Sequence, residues 1–195
     1  MRRISLTLSL AFLTVLFCQA QVTPLKFNKN GEFKIVQFTD IHFQYHNPAS
    51  AIALKRINEV LDAERPDLVV FTGDVVYAAP ADTAMRTVLA CASSRKLPFA
   101  VTFGNHDNEQ GKTHAELYDI IRSMPYNIQP DRGTVESPDY VLVVKSSDGK
   151  KDASVLYCLD SHSYSKLPDV KGYDWLTFDQ VNWYRQQSAA FTAKN

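Results

Sequence analysis

Leu68-Val69-Val70-Phe71-Thr72-Gly73-Asp74 is a near-continuous apolar run that starts just after Pro66 and stops at Gly-Asp. Five consecutive residues, four of them β-branched or aromatic, with no polar alternation describe a strand buried on both faces. Upstream, Phe33 to Thr39 reads as an earlier strand. Between the two, Ala49 to Glu64 carries Leu54, Ile57, Val60 and Leu61 at helical spacing. Downstream, a helix is expected from Ala81 to Lys96, with Asp82 supporting its first turn, and a third buried strand from Phe99 to Phe103 after Pro98. The order is βαβαβ, which implies a parallel sheet with right-handed crossovers and an α/β fold class.

Beyond this unit the pattern changes. A helix over Lys112 to Met124 is expected to bury Leu117, Ile120, Ile121 and Met124. Tyr140 to Lys145 and Ser154 to Leu159 read as an antiparallel hairpin turning at Ser146-Ser147-Asp148-Gly149-Lys150. A last amphipathic helix is expected over Phe178 to Ala193, with Trp175, Phe178, Trp183 and Tyr184 as core beneath it.

The 195 residues are enough for one domain with a core. With 21 basic and 21 acidic side chains the chain has no net field to recruit nucleic acid or an anionic membrane, so a small partner fits better than a polyanion. Residues 1–20 are of another kind: Arg2-Arg3, an apolar run from Ile4 to Phe17, then Cys18-Gln19-Ala20. That is the pattern of a secretory signal peptide cut before Gln21, leaving residues 21–195 as the domain. The run is short for a membrane span, and Phe17 is bulky for a lipidation signal at Cys18, so export to the periplasm or exterior without stable membrane insertion is expected. Cys91 and Cys158 are expected as buried thiols. No cysteine pair has zinc-finger spacing, so any metal must be held by histidine and oxygen ligands.

Each of the three parallel strands ends in residues able to bind metal: Asp40-Ile41-His42, Gly73-Asp74 and Gly104-Asn105-His106-Asp107. Carboxyl ends of neighbouring parallel strands lie side by side, where such folds place their ligand crevice. One such group alone is far more often a cap or a turn than a ligand. Three at successive strand ends are hard to ascribe to turns. The mixture of carboxylates, imidazole and amide oxygen suits manganese, iron or zinc, and the absent side chains of Gly73 and Gly104 let two loops turn sharply toward one ion.

These segments resemble the D-x-H, GD and GNHD signatures of calcineurin-like metallophosphoesterases, and Leu159-Asp160-Ser161, Tyr173-Asp174-Trp175 and Gln180-Val181-Asn182-Trp183 resemble a subgroup related to purple acid phosphatases. The resemblance implies an α/β/β/α sandwich and two divalent or trivalent metal ions (manganese, iron or zinc). It places Asp40 and His42 on one ion, Asp74 bridging and Asn105 on the second. His106, paired with Asp107, would stand outside the metal ligands as proton donor to the leaving group. The implied reaction is hydrolysis of a small phosphomonoester by a hydroxide bridging the ions. A phosphodiesterase of the same fold, or a silent phosphate- or metal-binding module, are the alternatives. A doubly wound nucleotide-binding domain lacks its glycine-rich loop here.

The subgroup resemblance puts Ser161-His162-Ser163-Tyr164 on a loop near the site, with His162 off the metal, and adjacent Asp160, Ser161 and His162 cannot form a hydrolytic triad. Tyr77, three residues after Asp74, is expected to pack beside His42 rather than replace it. His46 is expected in a solvated loop and His114 on a helix surface. The family pattern also calls for two later histidine segments, and no histidine follows His162. The second sheet is therefore expected to be short of strands, with an exposed apolar edge. A colorimetric phosphatase assay with manganese is expected to show little hydrolysis by these 195 residues and much more by a longer parent; equal activity would refute this.

Overall fold

The computed structural model describes residues 24–135 and 138–194, so the signal-peptide reading of residues 1–20 lies outside the described residues. Its elements are β1 (Ile35–Phe38), α1 (Ala51–Glu64), β2 (Leu68–Thr72), α2 (Ala81–Ser93), β3 (Phe99–Thr102), α3 (His114–Arg122), β4 (Tyr140–Lys145), β5 (Asp152–Cys158) and α4 (Phe178–Thr192). Single 3-10 turns occupy Pro48–Ser50 and Asp107–Glu109.

β1, β2 and β3 form a parallel sheet in that order, with Ile35 opposite Leu68 and Val69 opposite Phe99. β2 is the middle strand, and its alternate residues go to two different cores. Val69 and Phe71 join Ile57, Leu61, Val88, Leu89, Leu117 and Ile121 from the three helices. Leu68 joins Ala100, Tyr140, Leu142 and Val144 on the side of the β4–β5 hairpin. Burial on both faces is why the strand reads as an unbroken apolar run. The Tyr140 hydroxyl reaches back across the layers and donates to the Val101 carbonyl at 2.8 Å. On the outer side of the hairpin, Tyr157 of β5 meets the rings of Trp183 and Tyr184 at 6.5 and 4.8 Å, which makes α4 the fourth layer of an α/β/β/α arrangement.

Local chemistry moves several element ends from where hydrophobic pattern alone puts them. Asn47 caps a 3-10 turn with Pro48 inside it, so α1 proper begins at Ala51. α3 begins at His114 because Thr113 and Glu116 form a reciprocal capping box, and Thr177 with Gln180 does the same for α4. α2 stops at Ser93, and Lys96 turns the chain away with φ of 59°.

Three expectations are corrected. His114 is buried, not on a helix surface: it sits on the first turn of α3, stacked 4.5 Å from Phe103, with Nδ1 3.8 Å from an Asp160 carboxylate oxygen. Of the four aromatic residues expected as core around α4, only Trp183 is half-buried, and the other three are exposed. Phe178 is 89% exposed, and Trp175 and Tyr184 are also exposed, whereas the buried residue of α4 is Gln180. Val60 is exposed too, which leaves Ile57 and Leu61 as the buried residues of α1. β1 lies at a sheet edge with Ile35 exposed. No helix among the described residues is long and apolar enough to cross a membrane.

Leu89→Ala, which opens a cavity among fully buried side chains, is expected to cost about 2–5 kcal/mol in urea unfolding. Phe178→Ala is expected to stay within about 0.5 kcal/mol; a large loss there would return the aromatic residues to the core.

Candidate metal centre

Past the carboxyl ends of β1 and β2 the backbone stays paired: Asp40 N–H donates to the Gly73 carbonyl at 3.2 Å and His42 N–H to the Asp74 carbonyl at 2.8 Å. This brings the first two motifs side by side. The third is brought in by close backbone approach. A β-carbon on Gly73 would stand 2.7 Å from the Gly104 nitrogen, and one on Gly104 would stand 2.2 Å from Asp74 Oδ1, so both positions must be glycine for the β2 and β3 loops to meet. Gly73 also has φ of 96°.

Asp107 holds this junction together. Its fully buried carboxylate accepts four backbone N–H groups: Asp74 and Gly104 on Oδ2 at 3.0 and 2.9 Å, and Val75 and Val76 on Oδ1 at 2.8 and 3.1 Å. Burial pushes its pKa up to about 6, against the pull of the N–H donors of Gly104, Val76 and Val75; four donors and no acceptor around it match the charged form. With both oxygens committed to backbone, Asp107 is not the partner expected for His106. That partner is Glu109, whose Oε2 lies 2.7 Å from His106 Nδ1. The bond to Glu109 raises the His106 pKa, and bonds from Tyr164 and then His106 lower that of Glu109.

The structure gathers the candidate ligands at one rim. Asp40, Asp74 and Asn105 line one cavity of about 220 Å³, whose other walls include His162, Tyr173 and Asp174. Thr39 Oγ1 donates to Asp40 Oδ2 at 2.6 Å. Asp74 Oδ1 accepts the His106 N–H at 2.9 Å. Asp74 Oδ2 lies 3.4 Å from His42 Nε2, yet that nitrogen is buried and makes no hydrogen bond. A buried imidazole nitrogen with no hydrogen bond, facing a carboxylate oxygen, is an arrangement that two ligands of one cation can adopt, so the residues present fit a metal. One donor atom each from His42, Asp74 and His106 lie within 4.8 Å of one another, which brings His106 closer to the ligands than its expected place outside them.

Of the other sequence candidates, Tyr77 stands against both imidazoles, with its ring 5.2 Å from His42 and 4.9 Å from His106. His162 turns its Nε2 to the Gln180 side-chain oxygen at 3.1 Å. His46 is exposed, edge-on to Tyr45. Sequence reasoning missed Glu109, and it put Tyr164 on a loop near the site without its bonds to Asn105 and Glu109. Glu109 is legible in principle, because three residues is one 3-10 turn after His106. Tyr164 is 55 residues from Glu109, and only the tertiary fold brings it near.

Asp107→Asn substitutes one donor for an acceptor in a cage of four N–H groups. It is expected to cost about 3 kcal/mol in chemical unfolding and to weaken metal binding; a neutral result would remove Asp107 as the junction.

Comparison with known families finds a match of residues 33–191 to the calcineurin-like phosphoesterase model. Among curated proteins, the chain is 32% identical over 197 residues to the probable inactive purple acid phosphatase 29 of Arabidopsis thaliana, covering 87% of this chain and 50% of that protein. It is 31% identical over 175 residues to the phosphatase DCR2 of Saccharomyces cerevisiae, covering 77% and 30%. It is 30% identical over 219 residues to the probable inactive purple acid phosphatase 14 of Arabidopsis thaliana, covering 94% and 54%. The chain thus spans about half the length of the curated relatives it matches, or less. With the signatures at three adjoining strand ends, their side chains turned to one rim and most of the chain within the family match, the protein belongs to the calcineurin-like phosphoesterase family.

Proposed function

We propose that this chain carries a metal-dependent phosphoesterase site for small phosphomonoesters, with Asp40, His42, Asp74 and Asn105 as ligands of two cations (manganese, iron or zinc). The observation that carries the reading is the buried His42 Nε2, without a hydrogen bond and 3.4 Å from Asp74 Oδ2. Bound cations supply a lowered pKa of coordinated water and charge stabilisation on phosphoryl oxygens. The chain's own residues do the rest. Asp74 offers one oxygen to the cleft while its other oxygen grips the third loop at His106 N–H. Asn105 is held by Tyr164 with its amide nitrogen engaged, leaving the carbonyl oxygen as its ligand atom. His106, held at Nδ1 by Glu109, donates its Nε2 proton to the departing oxygen from the imidazolium form and is left as the neutral Nδ1–H imidazole. Asp107 serves by positioning the loops rather than by pairing with His106. The balanced charge of the chain favours a small ester over a polyanion. The Arg2-Arg3 and Ile4 to Phe17 pattern supports export to the periplasm or exterior.

A silent phosphate- or metal-binding module is the second reading, favoured by relatives whose names say probable inactive. Manganese titration by calorimetry, paired with hydrolysis of p-nitrophenyl phosphate and bis(p-nitrophenyl) phosphate, separates them. The proposal expects metal binding that Asp74→Asn weakens by more than about 100-fold, since even residues behind the ligands are worth 10–100-fold. It also expects chelator-sensitive hydrolysis, faster on the monoester, that is weak in these 195 residues and strong in a longer parent, so turnover is judged on the parent. Metal binding without turnover of either ester supports the silent module, and a chain that binds no metal ends both metal readings.

A further inference from the structure

Beside the candidate ligands, a chain of three hydrogen bonds links Asn105 to His106 through two residues that no signature contains. Asn105 Nδ2 lies 2.9 Å from the Tyr164 hydroxyl, that hydroxyl lies 2.7 Å from Glu109 Oε1, and Glu109 Oε2 lies 2.7 Å from His106 Nδ1. An ionised carboxylate only accepts hydrogen bonds, and this sets the direction of all three. The single phenolic proton of Tyr164 must go to Glu109. Its oxygen is then left to accept, so the Asn105 group facing it must be the NH₂ and the amide carbonyl must face the other way. On the opposite side, the nitrogen of His106 facing Glu109 must carry hydrogen, so Nδ1 is fixed as a donor and Nε2 is the nitrogen left to take up and give a proton in the cleft. Bonds from Tyr164 and His106 hold the Glu109 pKa below the ordinary carboxylate range, in keeping with an ionised group.

We infer that Glu109 and Tyr164 are positioning residues of this site: the acceptor-only carboxylate of Glu109 dictates, through the Tyr164 hydroxyl, which atom Asn105 presents to a metal and, directly, which nitrogen His106 presents to the leaving group. The inference deepens the metal-site reading and rests on it for the Asn105 arm, while the His106 arm stands without metal. Tyr164 comes from the loop between β5 and α4, where its ring stacks 6.0 Å from Tyr173, a wall of the Asp40–Asp74–Asn105 cavity. The loop that bounds the cavity thereby also orients its reacting groups. Asn105 and His106 adjoin on the β3 loop, and one carboxylate sets both only because Tyr164 extends its reach.

Two variants separate the arms. Tyr164→Phe keeps the ring stacked on Tyr173 and removes only the hydroxyl. Glu109→Gln keeps the shape but replaces two acceptors by one acceptor and one donor, so it can serve either Tyr164 or His106 in the native direction, not both. Both side chains are partly exposed, and unfolding midpoints close to that of the unsubstituted chain are expected. The readouts are manganese affinity by calorimetry and the His106 tautomer by long-range ¹H–¹⁵N correlation in the metal-free chain, at a pH where the ring is neutral. Asn105→Ala calibrates the first and His106→Ala assigns the second. Tyr164→Phe is expected to weaken manganese binding about tenfold or more and to leave His106 with hydrogen on Nδ1. Glu109→Gln is expected to move at least one readout: loss of the Nδ1–H tautomer, or the same fall in affinity. If Asn105→Ala weakens binding while Tyr164→Phe stays within about twofold, and Glu109→Gln leaves the tautomer intact, the inference is overturned. If Asn105→Ala itself has no effect, the ligand assignment fails instead, and the tautomer in Glu109→Gln alone decides the role of Glu109.

Discussion

The rim of the sheet depends on one buried carboxylate. A side chain with no solvent exposure and a negative charge is costly to bury unless donors replace its water. Asp107 finds four, all backbone N–H groups, from the segment after β2 and from Gly104. Asp74 reciprocates: its own N–H goes to Asp107, while its Oδ1 accepts the N–H of His106. Each aspartate thus caps the other's loop. This cross-brace aligns the ends of the two strands beyond their paired residues, and the two glycines keep the approach free of side chains.

Three of the site residues sit in the left-handed backbone region, with φ of 52° at Asp40, 48° at His42 and 51° at Asp74. Such conformations cost about 1–3 kcal/mol each and persist where surroundings over-determine them. Here the surroundings are visible. The N–H groups of Asp40, His42 and Phe43 all bond to the β2 loop, so the pairing of β1 with β2 continues through the strained residues. Aspartate and histidine tolerate this region better than β-branched residues do. The residue types able to bind metal are also ones the turned backbone accepts, so candidate ligands can stand where the strands end.

Much of this was legible in the sequence because it is local or periodic. The run from Leu68 to Thr72 marks the central strand, and the three polar endings mark one rim because parallel strands put like ends together. What periodicity does not encode is which of several faces a residue meets. Phe178 looks like core by composition, yet it occupies the first position of α4 and points to solvent. His114 looks like a polar surface residue, yet the capping box at Thr113 sets the start of α3 so that its ring lies flat on Phe103. Asp107 next to His106 suggests a pair by adjacency, but the intervening 3-10 turn brings Glu109 to the imidazole and sends Asp107 inward. Tyr164 belongs to no local pattern at all.

The loop that brings Tyr164 to the site is held differently from the strand ends. Its anchor is Gln180, a buried neutral amide on α4 whose nitrogen donates to the Asp160 carbonyl at 2.7 Å and to Asp139 Oδ1 at 2.9 Å. Its oxygen accepts the Thr177 N–H at 2.8 Å and faces His162 Nε2. A joint made of directional hydrogen bonds fixes orientation well but buries little apolar surface, so it adds specificity more than stability. The strand ends, by contrast, rest on fully buried Phe71, Val75 and Val76. Regions with few buried apolar contacts open at lower free energy than the core. The cavity therefore has a floor, with Asp40, Asp74 and Asn105, that rests on apolar packing, and a wall, with Tyr173, whose loop is held by hydrogen bonds. Differences in what the site admits are accordingly to be sought in the wall, and differences in what it can hold by coordination in the floor.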